Sequence, residues 1–193
     1  LDPLANDELS EERIESVVLR RGSTRQFAQV SLTLEQLSTT LDRATRGVRA
    51  DFLDPVGSQL NDVYLIVNAV NGIEPGAYVY HRDVKKLECL KQGDFRAEAA
   101  HLGLDQRLPG DASVAVFLLA DMRSILERFG NRGYRAVQLE AGIICGKLYL
   151  AAYAQRLGAT GLTFYDDEVI EFFSPHATGK NAVFLMAIGK SVK

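Results

Sequence analysis

Arg21, Ser23 and Arg25 occupy alternate positions in the run Arg20-Arg21-Gly22-Ser23-Thr24-Arg25, which carries no helical period. In an extended backbone, residues i, i+2 and i+4 point the same way. The spacing therefore predicts two guanidinium forks and a hydroxyl on one face. Such a face suits a phosphate, with charge-assisted and bidentate bonds from arginine and a neutral bond from serine. Gly22 lets the backbone bend there without a Cβ clash. The competing reading is a pair of solvated arginines following a helix, and the residues alone leave both open.

Other chemistries find less support. The three histidines, His81, His101 and His176, have no metal-ligand spacing to one another or to the two cysteines, Cys89 and Cys145. There is no Gly-x-Ser-x-Gly elbow, no Walker loop and no dinucleotide-binding glycine fingerprint. No metal, zinc chemistry or hydrolase triad is expected. Tyr165-Asp166-Asp167-Glu168 has the composition of a metal site or a general base. A helix start explains it as well, with Asp166 as cap and two acids in the first turn. Cys145, among apolar neighbours, reads as buried and inert.

The elements that must position these residues can be read from hydrophobic spacing. A helix is predicted over 7–19, and a second over 33–46, with Thr33 as cap and Gly47 as stop. Residues 54–61 are loop material. Val63–Val70 reads as a buried strand, Tyr78–Tyr80 and Lys86–Leu90 as a hairpin around His81-Arg82-Asp83, and Phe95–Leu104 as a short helix. Ser113–Leu119 and Ala182–Ile188 read as buried strands. Between them Tyr134–Arg156 keeps a helical repeat and is apolar on more than one side, so it is expected at the centre. Gly142 and Gly146 lie in it one turn apart. They predict close approach of another backbone or a flat ligand, or plain close helix packing. Residues 159–164 are extended. Strands and helices are interspersed without regular alternation, which predicts an α+β layered fold rather than a doubly wound one.

The 193 residues suit one domain spanning 1–193. Hydrophobic residues make up 47%, charged residues 24%, and the mean hydropathy is −0.04. The longest apolar runs, Val114–Ala120 and Ala182–Ile188, fall far short of the roughly twenty residues that a membrane helix needs. A net charge of −3 without an aromatic-rich basic stripe speaks against nucleic acid. Two cysteines far apart in sequence suit a reduced, cytoplasmic protein. The chain opens on Leu1 rather than Met, as expected of one trimmed or cut from something longer.

Taken in order, these segments resemble the nitroreductase-like flavoenzymes. Arg21-Gly22-Ser23-Thr24-Arg25-Gln26-Phe27 is similar to the Arg-Arg-Ser-x-Arg-x-Phe opening of that family. Gly76-Ala77-Tyr78-Val79-Tyr80, then Leu87 and Gly93-Asp94, resemble a stretch of one branch, the SagB-type dehydrogenases, which include azoline oxidases. Tyr134-Arg135, Leu139-Glu140-Ala141-Gly142 and Leu148-Tyr149-Leu150-Ala151-Ala152 are similar to that branch's central helix. Gly158-Ala159, Tyr165-Asp166-Asp167-Glu168 and Ala187-Ile188-Gly189 complete a resemblance covering 13–190.

The resemblance implies a nitroreductase-like fold, with a central mixed or antiparallel sheet flanked by helices. It implies an FMN-dependent oxidoreductase that transfers hydride through flavin N5. NAD(P)H would be the reductant and a small molecule or peptide the acceptor. It also implies a homodimer with shared flavin sites. Arg21, Gly22, Ser23 and Arg25 would hold the phosphate and ribityl chain, with Lys190 adding positive charge. Ser58 and Gln59 would lie near the isoalloxazine ring, and the backbone of Gly161, Leu162 and Thr163 near N5. Arg128-Phe129-Gly130 stands where azoline-oxidising members carry a Lys-Tyr pair before the glycine, and phenylalanine takes no proton. The alternative is a catalytically degenerate domain of the same fold, serving dimerisation or interaction.

Overall fold

The computed structural model describes residues 1–47, 50–53 and 58–192. Half of the predicted 54–61 loop, including Pro55, Val56 and Gly57, lies outside the described residues. Six strands form one sheet: β1 Asp62–Val67, β2 Gly76–His81, β3 Lys86–Gln92, β4 Val114–Ala120, β5 Gly158–Leu162 and β6 Asn181–Gly189. Their order is β3-β2-β1-β4-β6-β5, and every neighbouring pair is antiparallel. The sheet is thus antiparallel rather than mixed, in an α+β fold.

Helices cover both faces, which is why the strands read as unbroken apolar runs. Successive side chains of a strand point to opposite faces. Val63, Leu65 and Val67 face α2 (Leu34–Thr45) and α6 (Arg132–Ala154), together with Val116 and Met186. Tyr64 and Ile66 face α3 (Arg96–Leu102) and α7 (Asp166–Phe173), together with Phe117 and Leu185. All seven residues of β4, at the middle of the sheet, are buried.

The predicted helix at 33–46 is α2. Thr33 Oγ1 accepts from the Gln36 N–H at 3.0 Å, and the Gln36 side chain accepts from the Thr33 N–H at 3.0 Å. This reciprocal box satisfies two otherwise orphaned donors. The predicted central helix is α6, running two residues earlier at each end than its apolar repeat suggested. Its glycines correct one expectation. A Cβ on Gly142 or Gly146 would meet nothing within 4 Å, so no helix among the described residues packs on them. With exposed Tyr134 and Leu139 they form an open stripe along α6.

Other boundaries differ, and the strand predicted over Val63–Val70 ends at Val67. The helix predicted over 7–19 forms only as α1, Ile14–Arg20, preceded by a single 3-10 turn at Asn6–Glu8. Tertiary bonds hold this region. The Asp2 and Leu4 N–H groups, ahead of the turn, donate to Ser38 Oγ and Thr39 Oγ1 on α2, and between the turn and α1 Glu12 pairs with Arg20 and Arg156. At α7 the N-cap is Tyr165, not Asp166, so all three acids fall inside the first turn and face the positive helix end. Two elements had not been read from the sequence: α4, Arg107–Asp111, and α5, Met122–Phe129. No helix among the described residues is long and apolar enough to cross a membrane.

Candidate functional site

The Arg21–Arg25 strip lies beside the C-terminal turns of α6 and the start of β5. Its middle is fixed from inside. Thr24 is buried and its N–H donates to the Ala159 carbonyl at 3.0 Å. Tyr153 Oη donates to the Gly22 carbonyl at 2.9 Å and lies 3.2 Å from Thr24 Oγ1. The phenol has one proton, so the threonine hydroxyl donates to Tyr153 in turn. Phe27 is buried against Gly189, and the Ala28 N–H donates to the Lys190 carbonyl at 2.9 Å. With Thr24 and Phe27 turned inward, Arg21, Ser23 and Arg25 are left exposed, as their alternate spacing predicted.

Neither Arg21 nor Arg25 has a carboxylate partner among the described residues. The Arg21 guanidinium instead lies 5.4 Å from the centroid of the Tyr149 ring, a cation–π contact. Ser23 and Arg25 open on a cleft of about 460 Å³, lined also by Thr160, Gly161, Leu162 and Thr163. Tyr149 and Phe184 line it as well. The Gly161 N–H donates to Tyr149 Oη at 2.8 Å. A Cβ on Gly161 would press into the Phe184 ring at 3.1 Å. The donor set suits an anionic group at the arginine end and a flat polar ring at the glycine end.

Other predicted site residues lie elsewhere. The Lys190 side chain is exposed and outside the cleft lining, although its backbone pairs with Ala28. Ser58 and Gln59 precede Leu60 and Asn61, and the Asn61 side chain donates to the Val137 carbonyl near the N-terminal end of α6. Tyr149 is twelve residues further along that helix, about 18 Å at 1.5 Å per residue. Ser58 and Gln59 therefore do not share the cleft within one chain.

The backbone that follows Ser58 and Gln59 is held by a buried ion pair. Glu140 and Arg82 have side-chain exposures of 4% and 5%. Glu140 Oε2 accepts from the Leu60 N–H, the Asn61 N–H and Asn61 Nδ2, all between 2.8 and 2.9 Å. Arg82 reaches Glu140 Oε1 at 3.4 Å and also donates to the Asn61 carbonyl.

A second polar cluster borders the cleft. His101 on α3 meets Asp105 at 2.7 Å through Nδ1 and Glu168 on α7 at 2.6 Å through Nε2, and Tyr165 Oη donates to Asp105 at 3.1 Å. It ties the turn before cleft residue Gln106 to the segment after cleft residue Thr163. The bond to Asp105, then the bond to Glu168, raise the His101 pKa above 6.5. A raised folded-state value adds stability that is complete below pH 6.5 and is lost as pH rises through that higher value. The melting-temperature advantage of the wild type over His101→Gln is therefore expected to shrink as the buffer is taken from about pH 6 to about pH 9. An advantage that grows with pH would contradict this.

The chain is similar to known proteins in sequence and fold. The model of the family described as "Nitroreductase family" matches residues 18–190. A candidate nitroreductase of Methanocaldococcus jannaschii is 26% identical over 193 aligned residues, covering 96% of this chain and 95% of the relative. The crystal structure of a candidate nitroreductase from Anabaena variabilis superposes with a TM-score of 0.86 at 28% identity. That match covers 98% of this chain, and the chain spans 40% of the length of the Anabaena protein. An NADPH:FMN oxidoreductase from Vibrio harveyi, solved with NAD+, shares the fold with a TM-score of 0.66 at 16% identity, over 93% of this chain and 69% of its own.

Proposed function

This chain belongs to the nitroreductase family, a family of oxidoreductases, and on that premise we propose that it is an FMN-dependent oxidoreductase of the SagB-type branch. NAD(P)H is the reductant, and a small molecule or peptide is the acceptor. The observation that carries the reading is the pair of arginines without carboxylate partners, Arg21 and Arg25, beside a cleft walled by Gly161, Leu162 and Thr163. Bound FMN would supply hydride exchange at its ring nitrogen. The chain's own residues would bind and orient it. Arg21, Ser23 and Arg25 hold the phosphate and ribityl end, and the β5 backbone faces the ring. Lys190 adds positive charge at longer range. The spacing of Cys89 and Cys145 supports a reduced, cytoplasmic setting.

The test is the visible spectrum of the purified protein and the identity of the flavin released from it. A colourless protein that takes up no FMN at micromolar concentration would overturn the reading. Arg25→Ala is expected to weaken FMN by about 1.5–3 kcal/mol, the range for hydrogen bonds to charged groups, with the fold intact. An unchanged dissociation constant would return the arginine to the solvated surface.

The reading includes a homodimer. The open stripe of α6 carries Leu139 at 56% exposure and Tyr134 at 57%, beside Gly142 and Gly146, and α1 exposes Ile14, Val18 and Leu19. A second copy would cover these residues and bring its own Ser58 and Gln59 toward the cleft. The interface is expected to exceed about 2,000 Å² in total. Gly146→Trp, placed where a side chain meets only open space, is expected to leave each subunit folded. It would lower dimer content and flavin content together. Analytical sedimentation of a flavin-loaded monomer would overturn the dimer.

A further inference from the structure

Tyr149 is absorbed by neither the arginine strip nor the glycine wall, yet it touches both. Its ring lies under the Arg21 guanidinium at 5.4 Å, and its phenol oxygen accepts the Gly161 N–H at 2.8 Å. Its own O–H has no acceptor among the described residues, and the side chain lines the cleft. Tyr153, one turn on along the same face of α6, shows the contrast. Its proton is committed to the Gly22 carbonyl, and its oxygen lies within hydrogen-bonding distance of Thr24. One tyrosine thus fastens the chain to itself. The other leaves a donor facing the cleft.

We propose that Tyr149 ties both ends of the flavin site together, with its ring placing Arg21 for the phosphate and its hydroxyl, held by the Gly161 N–H, presenting its own O–H to the ring. This rests on the reading of the cleft as an FMN site. Gly161 has an outward-facing amide because β5 pairs with β6 through its other edge, with Ala159 facing outward in the same way to meet Thr24. That amide would otherwise stand unpaired at the cleft wall. The phenol oxygen occupies it at hydrogen-bonding distance and orients it. The free O–H then takes the place of that amide as the donor to a polar group on the ring.

The two arms separate by ligand. Riboflavin has the ring without the phosphate, so only the hydroxyl arm acts on it. Tyr149→Phe keeps the ring under Arg21 and removes the hydroxyl. It is expected to weaken FMN and riboflavin by the same factor, about fivefold, the scale of one neutral hydrogen bond. Tyr149→Leu removes both arms. It is expected to weaken FMN by a further factor of about three, the scale of an exposed cation–π contact, with no further loss for riboflavin. Binding is read by flavin fluorescence quenching, and the Gly161 amide proton is followed by NMR in the flavin-free protein, where it should shift in both variants. A purely structural tyrosine would lower the melting temperature and weaken both flavins alike in both variants. Either that pattern or an unmoved Gly161 amide with unchanged affinities would overturn the proposal. Wild-type protein that binds neither flavin would overturn the FMN reading itself, whatever the Gly161 amide does.

Discussion

Replacing Glu140 by alanine is expected to destabilise the fold by about 3–5 kcal/mol, the cost of breaking a buried ion pair from one side. The side chain is 4% exposed, and its partner Arg82 is 5% exposed. One carboxylate oxygen accepts three N–H groups from Leu60 and Asn61, and the other faces the guanidinium. Alanine would leave those donors without an acceptor and strand a cation that burial already pushes toward losing its proton. Urea unfolding of the variant measures the loss. Glu140→Gln keeps the shape and an acceptor oxygen and should lose less. Replacing Glu140 and Arg82 together by leucine should recover the part of the loss that comes from the stranded charge, while the Leu60 and Asn61 donors stay unpaired. A single-alanine loss below about 1 kcal/mol would mean that water reaches the pair. Because the same carboxylate holds the backbone of Leu60 and Asn61, the alanine variant should also loosen the segment carrying Ser58 and Gln59.

Gly158→Ala is expected to cost about 2–3 kcal/mol, the upper part of the range for overpacking, and to displace the arginine strip. The added methyl would fall within the hydroxyl of Thr24, and within 3.0–3.1 Å of its Cγ2 and Cβ. Thr24 cannot swing away. It is β-branched and buried, it lies beside Tyr153, and its amide is bonded to Ala159. Relief must come from backbone, and that backbone carries Ser23 and Arg25. Two measurements should therefore move together: the unfolding midpoint, and the FMN affinity of whatever protein remains folded. A Gly158→Ala protein that melts like wild type would show that the strip is free to shift. Pairing the change with Thr24→Ala, which removes the hydroxyl and Cγ2 that the methyl would strike, should restore part of the unfolding midpoint.

The helix at Thr33 was legible because its cap, its box partner Gln36 and its stop Gly47 are local. The buried strands were legible because their apolar runs are long. The start of α1 was not, because its boundary is set by Glu12 reaching Arg20 and Arg156, the latter more than a hundred residues away. Helix α5 did leave a signal: Asp121 caps Ser124 at 3.1 Å, and Gly130 ends the helix with φ 58°. Helix α4, Arg-Leu-Pro-Gly-Asp, has the composition of a turn. At the site, the alternate spacing of Arg21, Ser23 and Arg25 was enough to predict their common face. Tyr149 and Tyr153 were not read as site residues. Their four-residue spacing says that they share a helix face, and only the folded chain says that this face meets Gly22 and Gly161.

The strand order leaves β3 and β5 with one side unpaired, and each avoids recruiting a foreign strand in its own way. Such edges are templates for aggregation unless they are charged, short or covered. Along β3 the run Lys86-Leu87-Glu88-Cys89-Leu90-Lys91-Gln92 carries three charges, and its pairing with β2 is broken by an irregularity at Ala77/Tyr78. β5 is only five residues long, two of them glycine, and two of its outward groups are already spoken for: the Ala159 carbonyl by Thr24, the Gly161 amide by Tyr149. The contacts that shape the cleft therefore also keep the sheet from growing. Variants that free this edge, Tyr149→Leu among them, should lower colloidal stability during concentration and storage, an effect visible as turbidity well below the melting temperature.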